Sequence, residues 1–123
     1  MKTILIVDDT SLIRFVADRA AKNAKLQTIL AKNGQEGLEA VQNNHIDFIF
    51  SDINMPIMNG LEMVQKIKEN QKYSNIPIVM LTTESKTELK NRGRELGVNG
   101  WLLKPFSDKK FIMAIEKLLG VTL

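Results

Sequence analysis

Polar side chains stand where four apolar runs of this chain stop, and their types suit the handling of a phosphoryl group. Asp8 and Asp9 follow Ile4-Leu5-Ile6-Val7, and Ser51 and Asp52 follow Phe48-Ile49-Phe50. Thr82 and Thr83 follow Ile78 to Leu81, and Lys104, with Pro105 and Phe106 behind it, follows Trp101-Leu102-Leu103. Three carboxylates held close together raise one another's pKa unless a cation intervenes. A hard divalent ion answers that need. Mg²⁺ binds through one or two carboxylates, keeps several waters and accepts a phosphate oxygen. Lys104 adds a second positive charge. A carboxylate can attack phosphorus to give an aspartyl phosphate, and the protein's part in such a transfer is to position groups and neutralise charge. Asp52 is the expected nucleophile, because the adjacent pair Asp8-Asp9 is better placed to hold the ion. Each motif alone has a blander reading: paired aspartates cap helices, and an Asp ahead of a Pro-Gly turn, as from Asp52 to Gly60, is turn chemistry. The chemistry rests on all of them falling at strand ends of one sheet.

The elements that must bring them together are legible as alternating periods. Ile4 to Val7 reads as a buried strand, and Ile13, Val16, Ala17, Ala20, Ala21 and Ala24 recur at helical spacing. Gln27 to Ala31 is a more polar strand suited to a sheet edge, and Gly34 to Asn43 a short helix. Phe48 to Phe50 is the third strand, followed by a helix marked by Leu61, Val64 and Ile67. Pro77 opens the fourth strand, Ile78 to Leu81, where a missing N–H is tolerated. Thr87 to Leu96 is a weakly patterned helix with Gly93 inside it, predicted to be soft. Trp101 to Leu103 is the fifth strand, and Phe111, Ile112, Ile115, Leu118 and Leu119 mark the last helix. Continuous apolar strands alternating with helices predict a parallel sheet covered on both faces. With right-handed crossovers this is an α/β, doubly wound (βα)5 flavodoxin-like three-layer sandwich of strand order 2-1-3-4-5. Ligands of such sheets bind outside the carboxyl ends of the strands, beside the switch in strand order.

Bulk properties narrow the class. The chain has 123 residues, 44% hydrophobic and 25% charged, which predicts one domain over residues 1–123. It contains no cysteine, so disulfides, thiolate metal sites and cysteine nucleophiles are excluded together. The start, Met1 to Asp9, has neither the apolar length of a signal peptide nor that of a membrane span, and a cytoplasmic location is expected. The net charge is +3 with pI near 9.2, but the lysines are scattered. Lys90, Arg92 and Arg94 form the densest group without interleaved aromatics, a solvated helix face rather than a nucleic-acid surface. His45, the single histidine, is expected to be a plain surface residue.

Val7-Asp8-Asp9, Ser51-Asp52-Ile53-Asn54-Met55-Pro56 with Gly60, Leu81-Thr82 and Lys104-Pro105-Phe106 resemble the receiver domains of bacterial two-component response regulators, over essentially the whole chain. Ser51 to Pro56 and Thr82-Thr83-Glu84 are most similar to the single-domain chemotaxis type. That resemblance implies that Asp52 takes a phosphoryl group from a histidine kinase or a small phosphodonor. Asp9, Asp52 and the Asn54 carbonyl would bind Mg²⁺ directly, with Asp8 acting through water. Lys104 would contact the phosphate and Asp52, Thr82 would hydrogen-bond the phosphate, and Trp101 would turn inward behind it. A cis Lys104-Pro105 bond is implied as well. The switch and output residues are then Trp101, Thr83 and Glu84, on a face formed by the fourth helix, fifth strand and fifth helix. The implied partners are a chemotaxis-type histidine kinase, a flagellar motor switch protein or another target, and a phosphatase. The chain would act as a monomer without nucleic acid or membrane insertion, catalysing only its own phosphorylation and dephosphorylation. A phosphorelay shuttle and a receiver excised from a larger regulator are the alternatives, although the chain ends about where the fifth helix should.

Trp101 stands where Tyr or Phe is commoner, so its bulk is expected to restrict inward rotation. Thr83 replaces a commonly smaller residue and narrows access to Asp52. Readings from other classes fare worse. A metal-dependent phosphohydrolase with an aspartyl-phosphate intermediate needs a carboxylate two residues after its nucleophile, and Asn54 stands there. A flavin phosphate would meet Asp8-Asp9-Thr10-Ser11, an acidic loop that repels it. A constitutive interaction protein would have no use for the full set of acidic, hydroxyl and ammonium groups.

Overall fold

The computed structural model describes residues 1–84 and 86–123. Five strands and five helices alternate: β1 (Thr3–Val7), α1 (Ser11–Asn23), β2 (Gln27–Ala31), α2 (Gly34–Asn43), β3 (Phe48–Asp52), α3 (Gly60–Glu69), β4 (Ile78–Thr82), α4 (Thr87–Leu96), β5 (Gly100–Leu103) and α5 (Asp108–Leu119). The strands are all parallel, in the order β2-β1-β3-β4-β5. This is the doubly wound sandwich expected from the pattern. The order reverses at β1 and β3, so the carboxyl ends of these two strands, Asp8 and Asp52, flank the crevice where such folds place their ligands.

Side chains alternate across each strand and so feed two cores. Leu5, Val7, Ile49, Ile78 and Met80 face Val41 of α2 and Met63, Val64 and Ile67 of α3. Ile4, Ile6, Phe48, Phe50, Val79 and Leu81 face Ala17, Ala20 and Ala21 of α1 and Phe111 and Ile115 of α5. β2 is the half-exposed edge its polarity predicts. By the alternation that puts Ile78 and Met80 on the α3 side, Thr82 and Trp101, the latter paired in register with Met80, belong to the face covered by α4.

Two strands run further at their carboxyl ends than their apolar residues suggested, and β1 and β5 each begin one residue earlier. β3 continues to Asp52, paired with Leu81, and β4 continues to Thr82, paired with Leu103. The backbone ladder is indifferent to side-chain polarity, so both polar residues are fixed by strand hydrogen bonds. The helices differ in how firmly they start. Asn59 and Glu62 form a reciprocal capping box at α3, satisfying N–H groups that the helix itself leaves unpaired. α4 begins at Lys86 with no side-chain cap among the described residues, and Gly93 is its one buried residue. No helix among the described residues is long and apolar enough to cross a membrane.

Candidate functional site

Asp8 leaves β1 fully buried. Its Oδ1 accepts the Thr10 N–H at 2.9 Å, and its carbonyl accepts a hydrogen bond from Arg14 Nη1 at 2.6 Å. The pair Asp8-Asp9 is therefore not capping α1: Thr10 is the cap residue and makes no side-chain cap bond among the described residues. Asp52 closes β3, and its Oδ1 accepts the next N–H, that of Ile53, at 2.8 Å. Behind it the first turn of α3 comes so close that a Cβ on Gly60 would stand 2.0 Å from the Asp52 carbonyl oxygen. Only glycine fits there. The Gly60 N–H then donates to the Ile53 carbonyl at 2.8 Å, closing the loop.

Lys104 reaches in from β5. Its Nζ lies 2.7 Å from Asp8 Oδ2 and 3.2 Å from Asp52 Oδ1. Its own N–H donates to the Thr82 carbonyl at 2.8 Å, the Lys104-Pro105 peptide is cis as the resemblance implied, and Phe106 stacks on Phe111 of α5 with centroids 5.6 Å apart. The lysine is thus anchored on both sides before its side chain enters the crevice.

The electrostatics follow from burial. One carboxylate oxygen from each of Asp8, Asp9 and Asp52 lies within 4.8 Å of the others. Burial, then the neighbouring Asp8, pushes the Asp52 carboxyl up to about 6, against the opposing pull of Lys104 and the Ile53 N–H. For Lys104, burial alone would lower the pKa, but Asp8 and then Asp52 outweigh it and hold the ammonium above its ordinary value. One lysine does not satisfy this cluster. Asp8 Oδ2 is buried and, among the described residues, lacks an aligned hydrogen bond despite the ammonium 2.7 Å away. A buried carboxylate oxygen in that condition, with a carboxylate oxygen from each of two more acid groups close by, can hold a hard divalent cation.

The structure thus brings Asp8, Asp9, Asp52 and Lys104 together. The Thr82 hydroxyl is turned to Glu84 instead: it accepts from the Glu84 N–H at 3.0 Å and lies 3.1 Å from the Glu84 carbonyl, to which it donates. Thr83 and Glu84 are exposed, and Glu84 lies 3.7 Å from Lys86. Asn54 is exposed in the loop after β3, and Trp101 is half-buried beneath α4. His45 is a surface residue, 2.9 Å from Asp47. Sequence reasoning missed Arg14, Gly60 as a packing residue and the closeness of Lys104 to Asp8. Of these only Gly60 carried a signal, as the glycine that ends the turn after Asp52.

The sequence profile of the response regulator receiver domain matches residues 4–116. A histidine kinase P4 of Formosa agariphila is 38% identical over 117 residues, which are 95% of this chain but 8% of the kinase. A chemotaxis protein CheY homolog of Campylobacter jejuni is 33% identical over 119 residues, 95% of this chain and 92% of that protein. Among solved structures, the chemotaxis protein CheY4 of Vibrio cholerae superposes with a TM-score of 0.92 at 36% identity, covering 96% of this chain and 98% of that one. With the profile covering most of the chain, and with the fold and strand-end groups of that family in place, this chain belongs to the response regulator receiver domains of two-component systems.

Proposed function

We propose that Asp52 is the phosphoacceptor of this receiver and that Asp8, Asp9, Asp52 and the carbonyl of Asn54 hold the Mg²⁺ it works with. The observation that carries the reading is the Lys104 ammonium lodged between Asp8 and Asp52 beside the three clustered carboxylates. When bound, Mg²⁺ supplies charge neutralisation for the incoming phosphoryl oxygens.

The chain's own residues do the rest. The Ile53 N–H and Lys104 hold Asp52 Oδ1 and so fix the plane of the carboxylate. A carboxylate oxygen of Asp52 bonds to phosphorus as the bond to the leaving group, a histidine nitrogen or an acyl oxygen, breaks. The leaving group departs with the electron pair. Lys104 loses part of its attraction to Asp52 in this step and redirects its charge to the phosphoryl oxygens. Thr82, at the end of the neighbouring strand, supplies a hydroxyl donor once it leaves Glu84. Phosphorylation adds about −1.5 to −2 charge. The groups that respond, Thr82 and Lys104, lead along the chain to α4 and to Trp101. The α4-β5-α5 face, with Thr83, Glu84 and Trp101, is therefore the output surface.

The partners follow from this chemistry. A histidine kinase supplies the phosphoryl group, and the similarity to chemotaxis proteins favours a flagellar motor switch protein as the target. A shuttle between histidine phosphotransfer domains is the second reading. Incubation with acetyl phosphate and Mg²⁺ is expected to add one phosphoryl group by intact mass, and Asp52→Asn to add none. Retained labelling of Asp52→Asn by a folded variant would overturn the assignment.

A further inference from the structure

Two strands of chain leave the acidic crevice, and they meet again at one contact. From Thr82 the chain runs into α4; back from Lys104 it runs three residues to Trp101. A groove of about 600 Å³ connects the two paths, lined by Thr82, Lys104 and Trp101 and rimmed by Lys90 and Lys110. Where α4 crosses β5, the indole of Trp101 occupies the space that a side chain on Gly93 would need. A Cβ there would stand 2.5 Å from Cζ2, 3.2 Å from Cη2 and 3.4 Å from Cε2 of the ring. A glycine inside a helix is unfavourable relative to alanine, so its presence on the buried side of a short helix calls for a reason. The indole supplies it.

The rest of α4 is held lightly. Its start lacks a side-chain cap among the described residues, and Gly93 is its one buried residue. Leu89, Leu96 and the following Val98 touch the core only in part. Its end is fixed by the left-handed Gly97, φ 90°, and by the Val98 N–H donating to the Gly93 carbonyl at 2.9 Å. The ring on Gly93 is therefore one of the contacts that hold the helix. At its other end the helix is entered through the turn that the Thr82 hydroxyl closes on Glu84.

Resting on the reading of Asp52 and Thr82 above, we infer that Gly93 is a positioning residue: its missing side chain forms the slot that seats Trp101, and that seat couples α4 to the phosphorylation site. When Thr82 is drawn to a phosphoryl group, the turn into α4 loosens. The helix can then shift only as far as the indole, a rigid bicyclic ring, allows. The size match between residues 93 and 101 thereby sets the resting position of the output helix and the movement available to it.

The test uses the single tryptophan as its own reporter, with beryllofluoride and Mg²⁺ as the phosphoryl mimic. Wild type is expected to change its Trp101 emission and the amide exchange of residues 87–96 on adding the mimic. Gly93→Ala is expected to red-shift the resting emission as the ring is pushed from its seat. It should also reduce the response to the mimic several-fold, while acetyl-phosphate labelling of Asp52 persists. The combination of Gly93→Ala with Trp101→Phe, whose ring lacks the Cζ2 and Cη2 edge, is expected to regain the exchange response of α4. A purely structural glycine would lower stability without that regain. Gly93→Ala with unchanged emission and full response, or a double variant no more responsive than the single one, overturns the inference. A wild-type chain that neither labels nor responds overturns the phosphoacceptor reading together with the coupling. Labelling without any response overturns the coupling alone.

Discussion

Two helices approach the sheet through a glycine, and they meet different things. At the start of α3, Gly60 faces the carbonyl oxygen of Asp52, which is backbone inside a strand ladder. In the middle of α4, Gly93 faces the ring of Trp101, which is a half-buried side chain. α3 is capped reciprocally and buries Met63, Val64 and Ile67, whereas α4 buries only Gly93 among the described residues. At the first contact the Met80 methyl can give way but the Asp52 backbone cannot; the second can yield by turning a ring or sliding a helix. Under the function proposed above, the chemistry that needs fixed geometry sits at the first and the responding helix at the second, in keeping with mobile parts being drawn from the less stable end of a fold.

The largest effect that sharpens this contrast is at the site itself. Asp52→Asn is expected to abolish phosphoryl uptake completely while leaving the circular dichroism spectrum unchanged, because its neighbours are held by their own strands. Labelling by intact mass checks it.

Gly60→Ala comes next. The added methyl would lie 2.0 Å from a carbonyl oxygen that β3 and β4 hold in place. Overpacking costs roughly 1–3 kcal/mol and occasionally more, and with backbone as the obstacle about 3 kcal/mol is expected. Asp52 should be displaced with it, so labelling falls even under conditions where the variant remains folded. Chemical denaturation and acetyl-phosphate labelling of one preparation check both; a loss below about 1 kcal/mol with normal labelling would show that the α3 contact is softer than drawn.

The acidic cluster gives a pH dependence of intermediate size. Burial and Asp8 raise the Asp52 carboxyl from 3.8 to about 6 in the folded, metal-free chain. A group whose folded pKa is raised stabilises the fold below its unfolded value, and that contribution is lost as the pH rises through the folded value. In chelator, stability should therefore decline between about pH 4 and pH 6 by on the order of 2 kcal/mol from this group. Asp52→Asn, unable to ionise, should lack that part of the decline and be the more stable protein at pH 7. Urea midpoints across this range check the sign; identical slopes for the two proteins would remove Asp52 as the cause.

How much of this was readable without coordinates depends on range. The alternation of periods placed all five strands and five helices, because short apolar runs such as Ile4 to Val7 and Ile78 to Leu81 alternate with longer stretches of helical period. The strand-end rule then found Asp8, Asp9, Asp52 and Lys104 without any distance. What stayed hidden were contacts between residues far apart in sequence. Gly93 reads as a flaw in a helix until the indole of Trp101 is seen in its place. Lys104 was expected beside Asp52, yet it sits nearer to Asp8, since both strand ends lie within reach of one long side chain. Arg14 shows no pattern along the chain, because its partner is a backbone carbonyl.

The smallest effect is also the most diagnostic, since it turns on a sign. Gly93→Ala gains about 1 kcal/mol of helix propensity and loses roughly 1–3 kcal/mol to the collision with the indole, so a net loss of about 1 kcal/mol is expected with Trp101 in place. In the Trp101→Phe background the colliding edge is gone while the propensity gain remains. The same Gly93→Ala change should then stabilise, by up to about 1 kcal/mol. The double-mutant cycle isolates the pairwise coupling between residues 93 and 101. Gly60→Ala has no such partner, because no side-chain change can retract the Asp52 carbonyl. If Gly93→Ala destabilises equally in both backgrounds, the obstacle at α4 is backbone too, and the two helices differ in degree only.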